Sequence, residues 1–127
     1  MKKIIISTIL SLCACTTVDK INTSEVSASF EKSKIEFLST VKTNNKKNIH
    51  KFFINSLKNN LILKNIDKIE LTDLFIFIPT NEIKINSNKE ISTLLILTYG
   101  TESAYFDVIW VKVENMWKIS NIYERQN

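Results

Sequence analysis

The apolar residues of the chain follow three successive patterns, each typical of a different structure. A short run from Ile4 to Leu12 comes first, interrupted only by hydroxyl side chains. From residue 24 to residue 57 apolar residues recur every three or four positions, which is typical of amphipathic helices. From residue 66 onward they largely alternate with polar ones, which is typical of half-buried strands. The sequence therefore predicts a leader, a helical part and a β-sheet, in that order.

Two helices are predicted in the helical part. The first spans about residues 24–41, with Thr23 or Ser24 as its N-cap and a charged face opposite the apolar one. Its apolar face comprises Val26, Phe30, Phe37, Leu38 and Val41. A shorter second helix is predicted over residues 46–57 and is expected to end at Asn59-Asn60. The two helices are expected to form a helical hairpin.

Three long strands are predicted at the end of the chain, and shorter ones before them. The long strands span Glu90 to Tyr99, Ala104 to Val113 and Met116 to Glu124. Before them, Leu74 to Ile78 is a continuous apolar run, which is typical of a strand covered on both faces. Alternation around Ile83 and Ile85 predicts a short edge strand, and residues 66–73 alternate less regularly.

The turn at Glu114-Asn115 determines which side chains share a face of the sheet. It pairs Val113 with Met116, and Asn115 is expected to take the left-handed conformation that such turns need. One face then comprises Ala104, Phe106, Val108, Trp110, Trp117, Ile119, Asn121 and Tyr123. The other comprises Tyr105, Asp107, Ile109, Val111, Val113, Met116, Lys118, Ser120 and Ile122. Both faces are largely apolar, so the second is expected to curve around a cavity, contact a partner or pair with another copy.

The leader has the features of an export signal. Lys2 and Lys3 form a positive n-region, and the apolar run is shorter than the about 20 residues that span a membrane. The stretch Leu12-Cys13-Ala14-Cys15 resembles the bacterial lipobox, which implies cleavage after residue 14 and acylation of Cys15. The alternatives are cleavage before Cys13, a plain secretory signal, and a buried N-terminal strand.

The lipobox resemblance also implies a location and a division of the chain. Residues 1–14 are then the signal peptide, residues 15–22 the lipidated N-terminus and tether, and residues 23–127 a single domain. Acyl chains such as palmitate attach the chain firmly, because each buried methylene contributes about 0.8 kcal/mol. Thr16 stands where an aspartate is associated with inner-membrane retention, which implies the outer membrane, with the domain facing the periplasm.

The charge and the cysteine and histidine counts of the chain without its leader argue against several classes of partner and cofactor. Removing residues 1–14 takes away Lys2 and Lys3, so the net charge falls from +4 to +2. This small excess, dispersed along the chain, gives no electrostatic case for a nucleic-acid partner. With Cys13 removed and Cys15 acylated, no cysteine remains for a disulfide, and the single histidine, His50, is too little for a metal site. No cofactor is expected.

Two helices followed by a curved antiparallel sheet of four to five strands is an α+β arrangement. The closing stretch from Tyr105 to Ile122, above all Trp117-Lys118-Ile119 after the turn, resembles the last hairpin of the NTF2-like (cystatin-like, cone-shaped) superfamily. That superfamily includes small bacterial lipoproteins of unknown function. The resemblance covers about residues 24–124 and departs in lacking the usual glycine at the turn. It implies two helices packed on a cone-shaped sheet with a pocket.

Some members of that superfamily are enzymes with an Asp-His pair in the pocket. Asp107 and Tyr99 occupy sheet positions suited to lining such a pocket, with Tyr123 or Trp117 as an aromatic wall. A catalytic acid/base pair needs a second titratable group within hydrogen-bond reach. His50, on a helix, has no evident route to Asp107. The expectation is therefore that the protein is not an enzyme.

A membrane-anchored binding module is the predicted function. Its candidate partner contacts are the large aromatic residues of the sheet, Tyr105, Trp110, Trp117 and Tyr123, because large aromatics dominate protein contacts. Both tryptophans are more simply interpreted as core residues. A specific version is an envelope immunity or accessory protein that binds a protein partner or a second copy through the open sheet face. The alternative is a carrier of a small apolar ligand in the cone's cavity.

Overall fold

The computed structural model describes residues 20–126, in which helices precede one antiparallel sheet. The predicted α+β fold class is confirmed. The leader and Cys15 lie outside the described residues, as does the acylation predicted there. Across residues 20–126, every helix is too short or too polar to cross a membrane.

The first helix, α1, spans Thr23–Lys42, close to its predicted range, but its cap differs. Asn22 is the N-cap, and its side-chain oxygen accepts a hydrogen bond from the amide of Glu25 at 3.2 Å. The side chain of Asn88 in turn bonds the amide of Asn22 at 2.9 Å and the carbonyl oxygen of Lys20 at 3.0 Å. The start of α1 is thereby held against the turn that precedes the long strands.

The chain after α1 is more broken than the predicted single helix. Helix α2 spans only Lys46–Ile49 and continues as a 3-10 turn, His50–Phe52. A separate helix, α3, spans Leu57–Ile66. The side chain of Ser56 caps α3 by accepting a hydrogen bond from the amide of Asn59 at 3.1 Å. The prediction that Asn59 ends a helix is therefore wrong, because Ser56 begins a new one in front of it.

Five strands form the sheet in the described part of the chain. They are β1 Leu74–Phe77, β2 Lys84–Ser87, β3 Glu90–Tyr99, β4 Glu102–Val113 and β5 Met116–Glu124. The order is β1-β3-β4-β5, and β2 pairs with the other half of β3. The three long strands match their predicted ranges to within two residues. The irregular alternation before Leu74 is not a strand, because α3 ends there and a 3-10 turn, Leu71–Asp73, follows.

Strand β1 has one covered face, although the continuous apolar run predicted two. Leu74 and Ile76 are half-buried on the inner face of the sheet, which is the face toward the helices. Phe75 and Phe77 lie on the outer face and are 66% and 51% exposed. An unbroken apolar run shows that a strand has apolar residues on both faces, but it does not show what covers them.

A β-bulge in β5 interrupts the predicted pairing with β4. Trp110 pairs with Ile119 as predicted, whereas Ile109 pairs with Asn121. Ser120 is therefore an extra residue on β5, and its hydroxyl donates a hydrogen bond to the carbonyl oxygen of Ile109 at 3.2 Å.

The bulge reverses the alternation for the rest of β5. Ile122 lies on the inner face, and Asn121 and Tyr123 lie on the outer face, opposite to the prediction. The turn before β5 also differs, because Glu114, not Asn115, has the positive φ, at 58°.

The core lies between α1 and the inner face of the sheet. Phe30 packs edge-on against Trp110 and Trp117, with ring centroids 5.2 and 5.8 Å apart. Both indole N–H groups are satisfied, since Trp110 donates to the Thr93 hydroxyl at 3.0 Å and Trp117 to the Ser29 hydroxyl at 2.9 Å. Both tryptophans are completely buried. Such aromatic pairs contribute about 0.5–1.5 kcal/mol beyond the area they bury.

Candidate functional site

A cavity of about 420 Å³ lies between the helices and the inner face of the sheet. Its lining comprises Phe37, Val41, Ile49, Phe53, Ile62, Ile66, Ile69, Leu71, Leu74, Ile76, Leu95, Leu97, Tyr99, Phe106, Ile119 and Ile122. Among these residues, Tyr99 alone has a polar side-chain atom. This volume is within the usual range for small-molecule sites, about 300–1,000 Å³.

Local structure places these apolar side chains around one space. On α1, Phe37 and Val41 are four residues apart and therefore share a face. On α3, Ile62 and Ile66 have the same spacing. The bulge in β5 turns Ile122 inward beside them. The cavity thus depends on three features, of which the sequence pattern predicted only the face of α1.

The mouth of the cavity lies where β3 ends. Of the described lining residues, Tyr99 and Ile69 are the most exposed, at 55% and 39%. Tyr99 is the last residue of β3, and it pairs with Glu102 at the start of β4. Ile69 lies in the turn after α3. The opening is therefore bordered by the end of the central hairpin on one side and by the end of α3 on the other.

The lining favours hydrocarbon over any polar group. Transfer of a hydroxyl or amide into such a site without a hydrogen bond costs roughly 2–7 kcal/mol, whereas apolar burial contributes about 25 cal/mol per Å². An apolar cavity also holds water poorly, because water needs polar partners. A bound molecule would therefore keep its polar part at the mouth, near the hydroxyl of Tyr99, and its apolar part inside.

The predicted site residues are separated by the fold into three places. Tyr99 lies at the cavity mouth. Trp110 and Trp117 are completely buried in the core and do not line the cavity, so neither is available to a partner at the surface. Tyr105 and Tyr123 are 40% and 50% exposed on the outer face of the sheet.

Asp107 does not line the cavity, because it lies on the outer face and not the inner one. It pairs with Leu94 across β3 and β4, on the face opposite Tyr99. Its carboxylate accepts hydrogen bonds from the guanidinium of Arg125, one of them from Nε at 3.0 Å. This hydrogen bond to Asp107 is the main reason that the pKa of Arg125 is raised above its ordinary value. Asp107 therefore joins β4 to the residue that follows β5.

His50 has an acidic partner that the sequence did not predict. Its Nε2 lies 3.2 Å from the Oδ1 of Asp67, which follows α3, and both side chains are about half exposed. The amino group of Lys46 donates to the carbonyl oxygen of Asp67 at 3.1 Å. These contacts hold the end of α3 against α2.

Within residues 20–126, no three His, Cys, Asp or Glu side chains are grouped as a metal site requires.

The outer face of the sheet carries exposed aromatic side chains close to one another. Phe77 pairs with Ile96, and Ile96 pairs with Tyr105, so these three lie in one row across the sheet. Phe75 lies beside this row and is the most exposed of the aromatics there. This face is the open sheet surface that the sequence predicted, although Tyr123 and not Ile122 belongs to it.

Sequence reasoning missed α3 and hence the cavity residues that it supplies. A signal for α3 was present, since Ile62 and Ile66 are spaced by four and Ser56 is a suitable N-cap. Asn59 and Asn60 obscured it, because asparagine pairs are more often found where helices end.

No protein-family model, curated protein or solved structure matches the chain. The resemblance to the NTF2-like superfamily therefore stays a prediction.

Proposed function

We propose that the protein is an exported lipoprotein whose domain is a non-catalytic binding module that takes one small apolar ligand in the cavity. The observation that carries this proposal is the cavity itself, about 420 Å³ with an almost entirely apolar lining. Burial of a flexible hydrocarbon chain in such a space is favourable without any specific hydrogen bond. The ligand class that fits is an amphiphile with one apolar chain and a polar head left at Tyr99.

The proposed anchor is lipid on Cys15, which supports a role at a membrane. Lys20, the first described residue, is five positions after Cys15, and this separation spans at most about 18 Å when extended. A domain on so short a tether stays at the membrane surface, where amphiphiles are abundant. Attachment there and a cavity for an apolar chain are consistent with one task, the binding of a lipid-derived molecule.

Two neighbouring residues of β3 provide a matched test of the cavity. Leu97 lines the cavity, whereas Ile96 lies on the outer face. Leu97→Trp is expected to fill the cavity and abolish binding of a fluorescent fatty acid, and Ile96→Trp is expected to leave binding unchanged. Organic extraction and mass spectrometry of the wild-type protein should recover an amphiphile that is missing from Leu97→Trp. Equal binding by both variants, with both folded by circular dichroism, contradicts the proposal.

A second candidate function is supported by the outer face of the sheet. Phe75, Phe77, Tyr105 and Tyr123 are all at least 40% exposed there, and large exposed aromatics are common at protein contacts. We propose as the alternative that this face binds a protein partner in the cell envelope. This function, and not ligand binding in the cavity, would be supported if the wild type captures one stoichiometric protein, Phe75→Ser/Phe77→Ser loses it and Leu97→Trp retains it.

A further inference from the structure

Helix α3 has apolar residues on two opposite faces. Ile62 and Ile66 point into the cavity. On the opposite face, at spacings of four and three, stand Leu57, Leu61 and Lys64. Leu57 is 81% exposed and Leu61 is 56% exposed. Two large aliphatic side chains exposed on successive turns of one helix indicate a surface that meets something apolar.

Positive charge is concentrated in and before this helix. The expectation that the charge excess is dispersed along the chain is therefore wrong. Residues 42–68 contain seven lysines and one acidic residue, Asp67, which gives this segment a formal charge of +6. The lysines are Lys42, Lys46, Lys47, Lys51, Lys58, Lys64 and Lys68. Because the whole chain carries +4, the remainder carries −2. The small net charge thus conceals a strongly basic segment.

Tertiary contacts bring the two halves of this basic segment together. The contacts of Asp67 with His50 and Lys46 join the end of α3 to α2. Among the residues that the structure describes, none of the seven lysines forms a salt bridge. Lys58 instead stacks over the ring of Tyr123 at 4.0 Å. The lysine charges are therefore left for an external anion.

We propose that the outer face of α3, with the lysines around it, docks onto an anionic lipid surface. A helix with exposed leucines flanked by lysines is suited to a phospholipid surface, where aliphatic side chains enter the acyl boundary and ammonium groups meet phosphates. Each lysine near such a surface contributes about fivefold to the affinity. A nucleic acid would bind the lysines, but it would leave Leu57 and Leu61 in water. The two leucines therefore favour lipid.

Docking through α3 would place the cavity next to the lipid surface. One face of α3 would lie on the surface, and its opposite face lines the cavity through Ile62 and Ile66. The turn that contains Ile69, at the cavity mouth, directly follows this helix. This step rests on the proposed function, because it supplies the route of the apolar ligand. Docking itself does not depend on what the cavity holds.

The test measures binding of the chain from Thr16 onward, which retains every core residue described above, to phospholipid vesicles. Vesicles of equal parts phosphatidylcholine and phosphatidylglycerol are expected to bind it, and vesicles of phosphatidylcholine alone are not. Binding should weaken at about 1 M salt, where the screening length falls to about 3 Å. Lys64→Gln/Lys68→Gln should lose about 25-fold in affinity, at about fivefold per lysine.

Two control variants isolate the docking surface. Lys84→Gln/Lys89→Gln removes the same charge near the other end of β3, and it should bind as the wild type does. Leu57→Ser/Leu61→Ser should lose at least about tenfold in affinity, whereas Ile35→Ser, at a similarly exposed position on α1, should not. Circular dichroism establishes that each variant is folded, and the fluorescent fatty acid establishes that its cavity is intact.

Three results would overturn the proposal. The first is equal binding to neutral and anionic vesicles, and the second is an equal loss in Lys84→Gln/Lys89→Gln and Lys64→Gln/Lys68→Gln. The third is tight binding of a short RNA duplex, unaffected by Leu57→Ser/Leu61→Ser, without vesicle binding. If docking holds and the fatty acid does not bind, the docking surface stands and the proposed cavity function fails.

Discussion

The side-chain amide of Asn59 donates a hydrogen bond to the carbonyl oxygen of Ile119 at 3.1 Å and so joins α3 to β5. The same amide donates to the carbonyl oxygen of Ile54 at 2.8 Å and lies 3.4 Å from that of Ser120. Asn59 is completely buried. The amide of Ile54 also donates to the carbonyl oxygen of Ile119, at 2.8 Å, so Asn59 and the segment before α3 together pair with the edge of β5.

Replacing Asn59 with leucine is expected to lower the free energy of unfolding by about 1–3 kcal/mol, because the carbonyl oxygens of Ile54 and Ser120 lose a donor, whereas that of Ile119 keeps the amide of Ile54. Asn60→Leu is the matched control, since Asn60 is exposed and bonds only the side chain of Asn55, and its effect should stay within about 0.5 kcal/mol. Urea unfolding followed by tryptophan fluorescence measures both. Equal losses would show that Asn59 does not join the two elements.

The face reversal in β5 predicts opposite results at two adjacent residues. Ile122 lines the cavity, whereas Tyr123 is half exposed on the outer face. Ile122→Asn should therefore cost about 1–3 kcal/mol of unfolding free energy, because it puts an amide among apolar side chains, and it should abolish fatty-acid binding. Tyr123→Asn should leave binding intact. The reverse outcome would indicate that side chains alternate regularly along the whole of β5, as the sequence alone predicts.

The proposed lipid anchor predicts that Cys15 carries the acyl chains. Cells supplied with a radioactive fatty acid should label the wild-type protein, and Cys15→Ser should take up none. Cys13→Ser is the matched control and should be labelled as the wild type is, because Cys13 belongs to the predicted signal peptide. Labelling that persists in Cys15→Ser and disappears in Cys13→Ser would move the cleavage site by two residues.

The ion pair of Arg125 with Asp107 is expected to contribute equally to the stability of the fold at pH values below and above neutrality. Its hydrogen bond to Asp107 raises the pKa of Arg125, and a raised pKa gives stability that is lost only when the pH rises through it. That pKa lies far above neutrality, so Arg125→Gln should lower the urea midpoint by the same small amount at about pH 6 and at about pH 9. Lys118→Gln controls for loss of one charge on β5. If Arg125→Gln lowers the urea midpoint by different amounts at the two pH values, the ion pair of Arg125 with Asp107 is not the cause.

Much of the fold could be predicted from the sequence because its signals are local. The apolar spacing on α1 and the alternation in β3 and β4 each report the burial of one face, so their ranges were close to the structure. The resemblance to the NTF2-like superfamily implied a pocket, but the residues that line the cavity could not be predicted in this way. The cavity needs α3, which Asn59 obscured, and it needs the bulge at Ser120, which no local pattern marks.

The sequence by itself determined that helices precede the strands and which face of α1 is apolar, because each is encoded by neighbouring residues. Only the tertiary structure decided that Tyr99 borders the cavity and that Asp107 lies on the opposite face of the sheet. It confirmed the interpretation of both tryptophans as core residues. It also brought the lysines of α2 and α3 together, which a net charge of the whole chain cannot show. The physical reason is that burial, register and charge clustering arise from contacts between residues far apart in the chain.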